Sequence, residues 1–227
     1  METAGPGEER MGDDVTPTPA VRGGYAKGDA RREAIVDVAT RIFGTEGFRS
    51  ATMLQIAAAC GISRTGLLHH FPTKESLLEA VLAHRDSSGP SVELAVASDL
   101  PADSDPRTLL RNLIAVVERN ATQPRIVNLF SVLSAEAGDP SHPAHLYFTQ
   151  RYARLRSDLG RALGRLHADG ALVAGTDPHA LAAEVIALMD GLQVQWVLAP
   201  DAIDMAAVLR HRLAAALAAP LDDSHST

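Results

Sequence analysis

The stretch TMLQIAAACGISRTGLLHHF, residues 52–71, decides how this chain is read. Thr52 and Gln55 stand at capping-box spacing, so a short helix opens there and runs through Cys60. Gly61-Ile62-Ser63 breaks it, with Gly61 as the one residue of the turn that accepts a positive φ. Ser63 then caps a further helix over 64–71, which stops before Pro72. Two short helices that cross steeply need a small residue where their backbones touch, and Ala57 is placed for it. Ile56, Ile62, Leu67 and Phe71 can then point inward, joined by Ile42 and Phe43 from the helix before. The free N–H groups and positive dipole end of the 64–71 helix face outward, where a phosphate or a base edge fits. An ordinary helical corner uses the same small residues and caps, so this spacing alone leaves both readings open.

Outward from that stretch the pattern stays helical. Ile35, Val38, Ala39, Ile42 and Phe43 recur at i, i+3, i+4, i+7 and i+8, with Asp29 placed as an N-cap and Gly47 as a stop. Thr73 is expected to cap a fourth helix over 74–85. Breaks follow at 87–90 and 101–106, then helical patterns over about 107–121 and 124–137. Pro143 is expected in the first turn of a long helix ending at Asp169-Gly170. Asp177-Pro178 opens another, and the last covers about 201–218. No segment alternates with period two between hairpin turns, and no repeat is visible. The expected fold is all-α, about nine helices. A helix-turn-helix domain over 27–86 joins a larger helical bundle over 87–227, behind a disordered arm over 1–26.

Composition narrows the function. Of 227 residues, 21 are Lys or Arg and 28 are Asp or Glu, a net charge of −7 that argues against a polyanion binder held by bulk charge. The balance is uneven: residues 27–86 carry eight basic against seven acidic side chains, whereas 87–227 carry eleven against sixteen. One cysteine makes no internal disulfide and no zinc site needing two thiolates. No apolar run is expected to approach the length of a bilayer span, and residues 1–26 hold five acids and no apolar core, unlike a secretory signal. A soluble protein of a reducing compartment, the cytoplasm, is expected.

Residues 30–82 resemble the TetR family of transcriptional regulators. The matching features are Gly47-Phe48, then Thr52 before Ile56-Ala57-Ala58, then Gly61-Ile62-Ser63. They continue with Leu67, His70-Phe71-Pro72 and Lys74-Glu75 with Leu77-Leu78, in fixed order and spacing. The resemblance implies a homodimer with an N-terminal DNA-binding domain and a C-terminal domain for ligand and dimerisation. Carried over, the DNA-contacting set is Thr52, Ser63, Arg64, Thr65, Gly66, Leu68, His69, His70 and Lys74. Arg64 and Thr65 open the recognition helix, and a bidentate Arg64–guanine pair is worth roughly 1–3 kcal/mol of discrimination. His70 and Lys74 match positions that hold phosphates, which set register without reading sequence. Two departures matter: Gly66 stands where Thr is frequent, and Leu68-His69 where Tyr-Tyr is frequent, so an operator sequence does not transfer. Arg22 and Lys27 of the arm are weighed as minor-groove contacts against a solvated tail.

The second domain is read from physical pattern. Candidate walls for an effector pocket are Phe130, Leu133, Tyr147, Phe148, Tyr152, Met189, Gln193 and Trp196, although stripes at helical spacing are more often core. The 178–198 helix is apolar on two faces and so needs cover on both. A partner copy would supply the second, through Ile186, Asp190, Val194 and Val197 with Met205, Val208 and Leu209 of the last helix. The reading is a ligand-responsive repressor that binds a pseudo-palindromic duplex as a homodimer and answers to an unknown small molecule. No cofactor, metal or membrane is implied. Two alternatives are a helical DNA binder without effector control and a His-dependent enzyme using His69 or His142. The second lacks a nucleophile elbow, a His-Glu-x-x-His and a phosphate-cradling glycine loop. His69-His70 is a poor metal pair, since neighbours on a helix point about 100° apart. Cys60 is expected as small core packing.

Overall fold

The structure, a computed structural model, describes residues 20–87 and 106–219, with side chains over 28–85 and 107–219. Nine helices lie among the described residues: α1 (Ala20–Ser50), α2 (Met53–Ala59), α3 (Arg64–His70), α4 (Lys74–Ser87), α5 (Pro106–Asn120), α6 (Pro124–Glu136), α7 (His145–Ala168), α8 (Pro178–Leu198) and α9 (Met205–Ala214). The only pairing of extended backbone among them is a single bridge, Leu172 with Leu217.

Local chemistry sets most of the ends. Thr52 accepts from Gln55 N at 3.2 Å and Gln55 returns the capping box. Ser63 accepts from Gly66 N at 3.0 Å, Thr73 from Ser76 N at 3.0 Å and Asp177 from His179 N at 2.9 Å. Gly47 and Gly61 take φ of 80° and 65°, where a Cβ is strained. Three expectations fail. Asp29 does not cap α1, which begins at Ala20, so part of the expected arm is helical; residues 1–19 lie outside the described residues, as do the side chains of Arg22 and Lys27. Pro143 precedes the N-cap Ala144 of α7 instead of entering its first turn. The last helix starts at Met205 after the Asp204 cap, because Asp204 holds Ala207 N at 2.9 Å and residue 201 offers no such bond.

Two apolar cores result. One joins Ile35, Phe43, Ile56, Leu67, Phe71 and Leu78 of α1–α4 to Leu129, Leu133 and Phe148 of α6 and α7. The other gathers α5 and α7–α9 around Leu113, Leu159, Leu163, Val185 and Leu209. Helix α7 therefore serves both, as does α6, whose Val127 lies in the second core, and apolar packing crosses the boundary expected at residue 86. Helix α8, at 21 residues, is long and apolar enough to cross a membrane by length and composition, which corrects the expectation that no such run exists. Its Leu181, Val185, Leu192 and Trp196 are buried in the second core.

Candidate nucleic-acid interface and effector cavity

Helix α3 rests on the first core through Leu67, with Phe71 behind it, both fully buried, while Ser63, Arg64, Thr65 and His69 are exposed. Gly66, Leu68 and His70 are half-buried and Thr52 is exposed. The corner is clamped to α1 at both ends. Glu46 accepts two bonds from Gln55 Nε2, at 2.6 and 2.7 Å, holding the start of α2. Arg32 donates to His70 O at 2.8 Å with its guanidinium 4.1 Å from the Phe71 ring centroid, holding the end of α3. Neither clamp was legible in the motif, because each joins residues from distant turns of the chain.

Lys74 departs from its expected role. Its Nζ donates to the carbonyls of Phe48, Arg49 and Ala51 at 2.8, 3.3 and 2.9 Å, and sits 4.4 Å from the Phe48 ring centroid. An ammonium has three donors, so all are committed to the backbone and none is aimed at a phosphate. Lys74 is a clip that closes the α1–α2 corner.

The same corner is fastened to the second half of the chain. Phe48 N donates to Glu136 Oε2 at 2.7 Å, and Arg49 pairs with Asp139. That pairing and the amide and hydroxyl of Ser141 hold the Asp139 carboxyl well below the usual carboxylate range, the Ser141 amide most of all. His142 is buried edge-on to Phe48, its Nδ1 accepting from Ala144 N at 3.1 Å and its Nε2 3.5 Å from Glu136 Oε2. Burial lowers its pKa, partly offset by Glu136. Gly47 is required by its φ of 80°, which L side chains rarely adopt, and a Cβ there would also displace the Glu136 carboxylate. His69 and His70 rings lie 5.7 Å apart, and no metal-holding group of three side chains occurs among the described residues. Cys60 is half-buried against the first core, and burial raises its thiol pKa.

A cavity of about 60 Å³ opens between α4, α6, α7 and α8. Of the expected pocket residues, Phe130, Tyr152, Met189 and Gln193 line it. Leu133 and Phe148 belong to the first core, Trp196 to the second, and Tyr147 faces a separate groove beside Glu79 and Pro143. Sequence reasoning missed Arg85, Asn120, Ser131 and Arg151 in the lining; Arg151 is buried, at 7% exposure. Asp190 lines the cavity, bonded to the Tyr152 hydroxyl, and burial raises its pKa. The Tyr152 phenol is pushed up by the same burial and by Asp190. The expected dimer set also divides. Ile186, Met205 and Leu209 are buried within the chain and Val197 packs on its core, whereas Val194 and Val208 are exposed. Apolar spacing alone does not say which side of a helix meets the chain's own core.

Comparison with known proteins agrees with this geometry. Residues 35–81 match the model of bacterial regulatory proteins of the tetR family, and residues 106–221 match the BetI-type transcriptional repressor C-terminal model. The regulator BetI of Rhizobium meliloti (strain 1021) is 33% identical over 183 residues, 79% of this chain and 85% of that one. AcrR of Shigella flexneri is 28% identical over 177 residues, 77% and 81% of the two chains. Among solved structures, a SmeT–triclosan complex, SmeT being an efflux-pump repressor of Stenotrophomonas maltophilia, superposes with a TM-score of 0.67 at 20% identity, covering 87% of this chain and 96% of that one. With both halves matched in order around an exposed α3, the chain belongs to the TetR family of DNA-binding transcriptional regulators, which are not enzymes.

Proposed function

We propose that the chain acts in the cytoplasm as a homodimeric repressor that reads a pseudo-palindromic operator with α3 and leaves it when a small molecule enters the cavity. The observation that carries this is the outer side of α3: Arg64, Thr65 and His69 stand free of their own fold while Leu67 anchors the helix. Arg64 and Thr65 are the base readers in this reading, with Thr52, Ser63 and His70 at the backbone. Support for a second copy comes from exposed apolar side chains on the last two helices, Val194 at 48%, Leu198 at 80% and Val208 at 37%. Ala183, Ala187, Gly191, Val194 and Leu198 follow one another at spacings of three or four on α8 and are all exposed, so two copies of α8 can approach closely.

The link between cavity and corner is α4. It carries Arg85 in the cavity wall and Lys74 at the clip on the carbonyls before α2. A ligand that favours one placement of α4 shifts the population of DNA-competent dimers in proportion to its differential affinity. Selection of bound fragments from random duplexes tests the reading. Two inverted half-sites about one helical turn apart, or a multiple of it, are expected. Recovery of fragments without shared sequence would defeat it and favour a structural DNA binder.

A further inference from the structure

We propose that Glu136 and His142 are positioning residues for DNA reading, a latch opened by acid through which the second half of the chain holds the α1–α2 corner. The proposal needs α3 to read a duplex but uses no cavity residue, and so goes beyond the effector reading. One carboxylate grips the corner. Glu136 Oε2 accepts from Phe48 N at 2.7 Å, shortly before the Thr52 cap of α2. Its Oε1 lies where a Cβ on Gly47 would stand, so the carboxylate fits directly against the backbone. The His142 side chain is fully enclosed, with Nε2 3.5 Å from the same Oε2 and without a hydrogen-bond partner. A buried group left unpaired beside an anion that already holds another residue calls for a functional account.

Hydrogen bonding fixes which nitrogen carries the proton. Nδ1 accepts from Ala144 N at 3.1 Å, so the neutral ring keeps its hydrogen on Nε2. A second proton can enter only at Nδ1. There it turns the acceptor into a donor facing a donor, and the Ala144 amide at the N-cap of α7 loses its bond. The imidazolium is then drawn through Nε2–H to Glu136, in competition with Phe48 N for Oε2. The other charged groups nearby are already engaged. Arg49 of α1 pairs with Asp139 of the loop, and Lys74 of α4 is committed to backbone carbonyls against the same Phe48 ring. His145 of α7 faces Ala137 O at 2.8 Å. Burial lowers the His142 pKa, with Glu136 offsetting part of it. The latch is therefore whole above the ordinary value near 6.5 and is lost as pH falls toward the lower folded value.

Fluorescence anisotropy on a selected duplex at pH 7.5 and 5.5 tests the latch. Acid also charges other histidines, His69 and His70 of α3 among them, which would raise affinity for phosphates. Each protein is therefore its own reference, through the ratio of its affinities at the two pH values. The parent's affinity should fall on acidification at least about threefold more than that of His142→Asn, whose side-chain oxygen still accepts the Ala144 amide but takes no proton. A merely structural His142 would change affinity at both pH values alike, and equal ratios overturn the proposal. A measurement on the parent alone covers a variant that does not fold. In amide NMR spectra the Phe48 and Ala144 signals should titrate together between pH 7.5 and 5.5 while circular dichroism stays constant. Signals that do not move together overturn the latch as well. If selection recovers no specific duplex, the repressor reading falls and the two amides still decide the latch.

Discussion

Two basic side chains of the same domain illustrate how differently a charge can be used. Arg64 is exposed at the start of α3, whereas Lys74 has three backbone carbonyls around its ammonium. Arg64→Ala should lose roughly 1–3 kcal/mol of discrimination at one base pair and leave melting unchanged. Lys74→Met should lower stability by roughly 2 kcal/mol, a Tm drop of about 6 °C, because charge-assisted bonds close the corner. Gel-shift titration beside thermal melts distinguishes them, and a Lys74 variant that melts like the parent would contradict the clip. His142 supplies a pH dependence. Burial lowers its pKa in the fold, so the unfolded chain takes up the proton more readily. Its contribution to stability is then complete above the ordinary value near 6.5 and is lost as pH falls toward the lower folded pKa. Melting at pH 7.5 and 5.5 should show this loss, and His142→Asn should diminish it; an unchanged difference would remove His142 as the cause.

At the scale of elements, turns with the same φ sign carry different burdens. Gly61 has open space where a Cβ would stand, so Gly61→Ala should cost only the left-handed backbone, about 1–2 kcal/mol. Gly47 has φ 80° and ψ 162°, a region kept almost entirely by glycine, and a Cβ there also strikes Glu136. Gly47→Ala should exceed the Gly61→Ala loss and should slacken the Phe48–Glu136 bond between the two halves. Denaturant unfolding of both variants measures the contrast, and equal losses would sink it. The caps show why this much could be read early. Thr52 with Gln55, Ser63 with Gly66 and Asp177 with His179 each act within three residues, so the helix ends are written locally. Asp29 does not act as a cap for the complementary reason: a capping residue followed by an amphipathic stripe does not stop a helix that already runs from Ala20.

For the whole molecule, the outer side of α8 and α9 presents exposed apolar side chains, Val194, Leu198 and Val208. Leu198→Asp places a charge on a side chain that is 80% exposed, so the fold of a single chain should tolerate it. If α8 meets a second copy there, light scattering should fall from twice the chain mass to one, and affinity for a two-half-site duplex should drop steeply while a single half-site changes little. A variant that stays dimeric places the interface elsewhere.

The amino-acid order by itself determined the all-helical class, the turn at Gly61, the capped α2–α3 corner and the outward start of α3, because caps, breakers and 3.6-residue periodicity act within a turn or two. Only the tertiary structure decided that Lys74 faces inward, that Glu136 receives Phe48 N, that Arg85 and Arg151 share the Phe130 ring, and that Met205 and Leu209 belong to the chain's own core. Those outcomes join residues from separate helices, and which of two apolar faces turns inward depends on the surface it meets across the core.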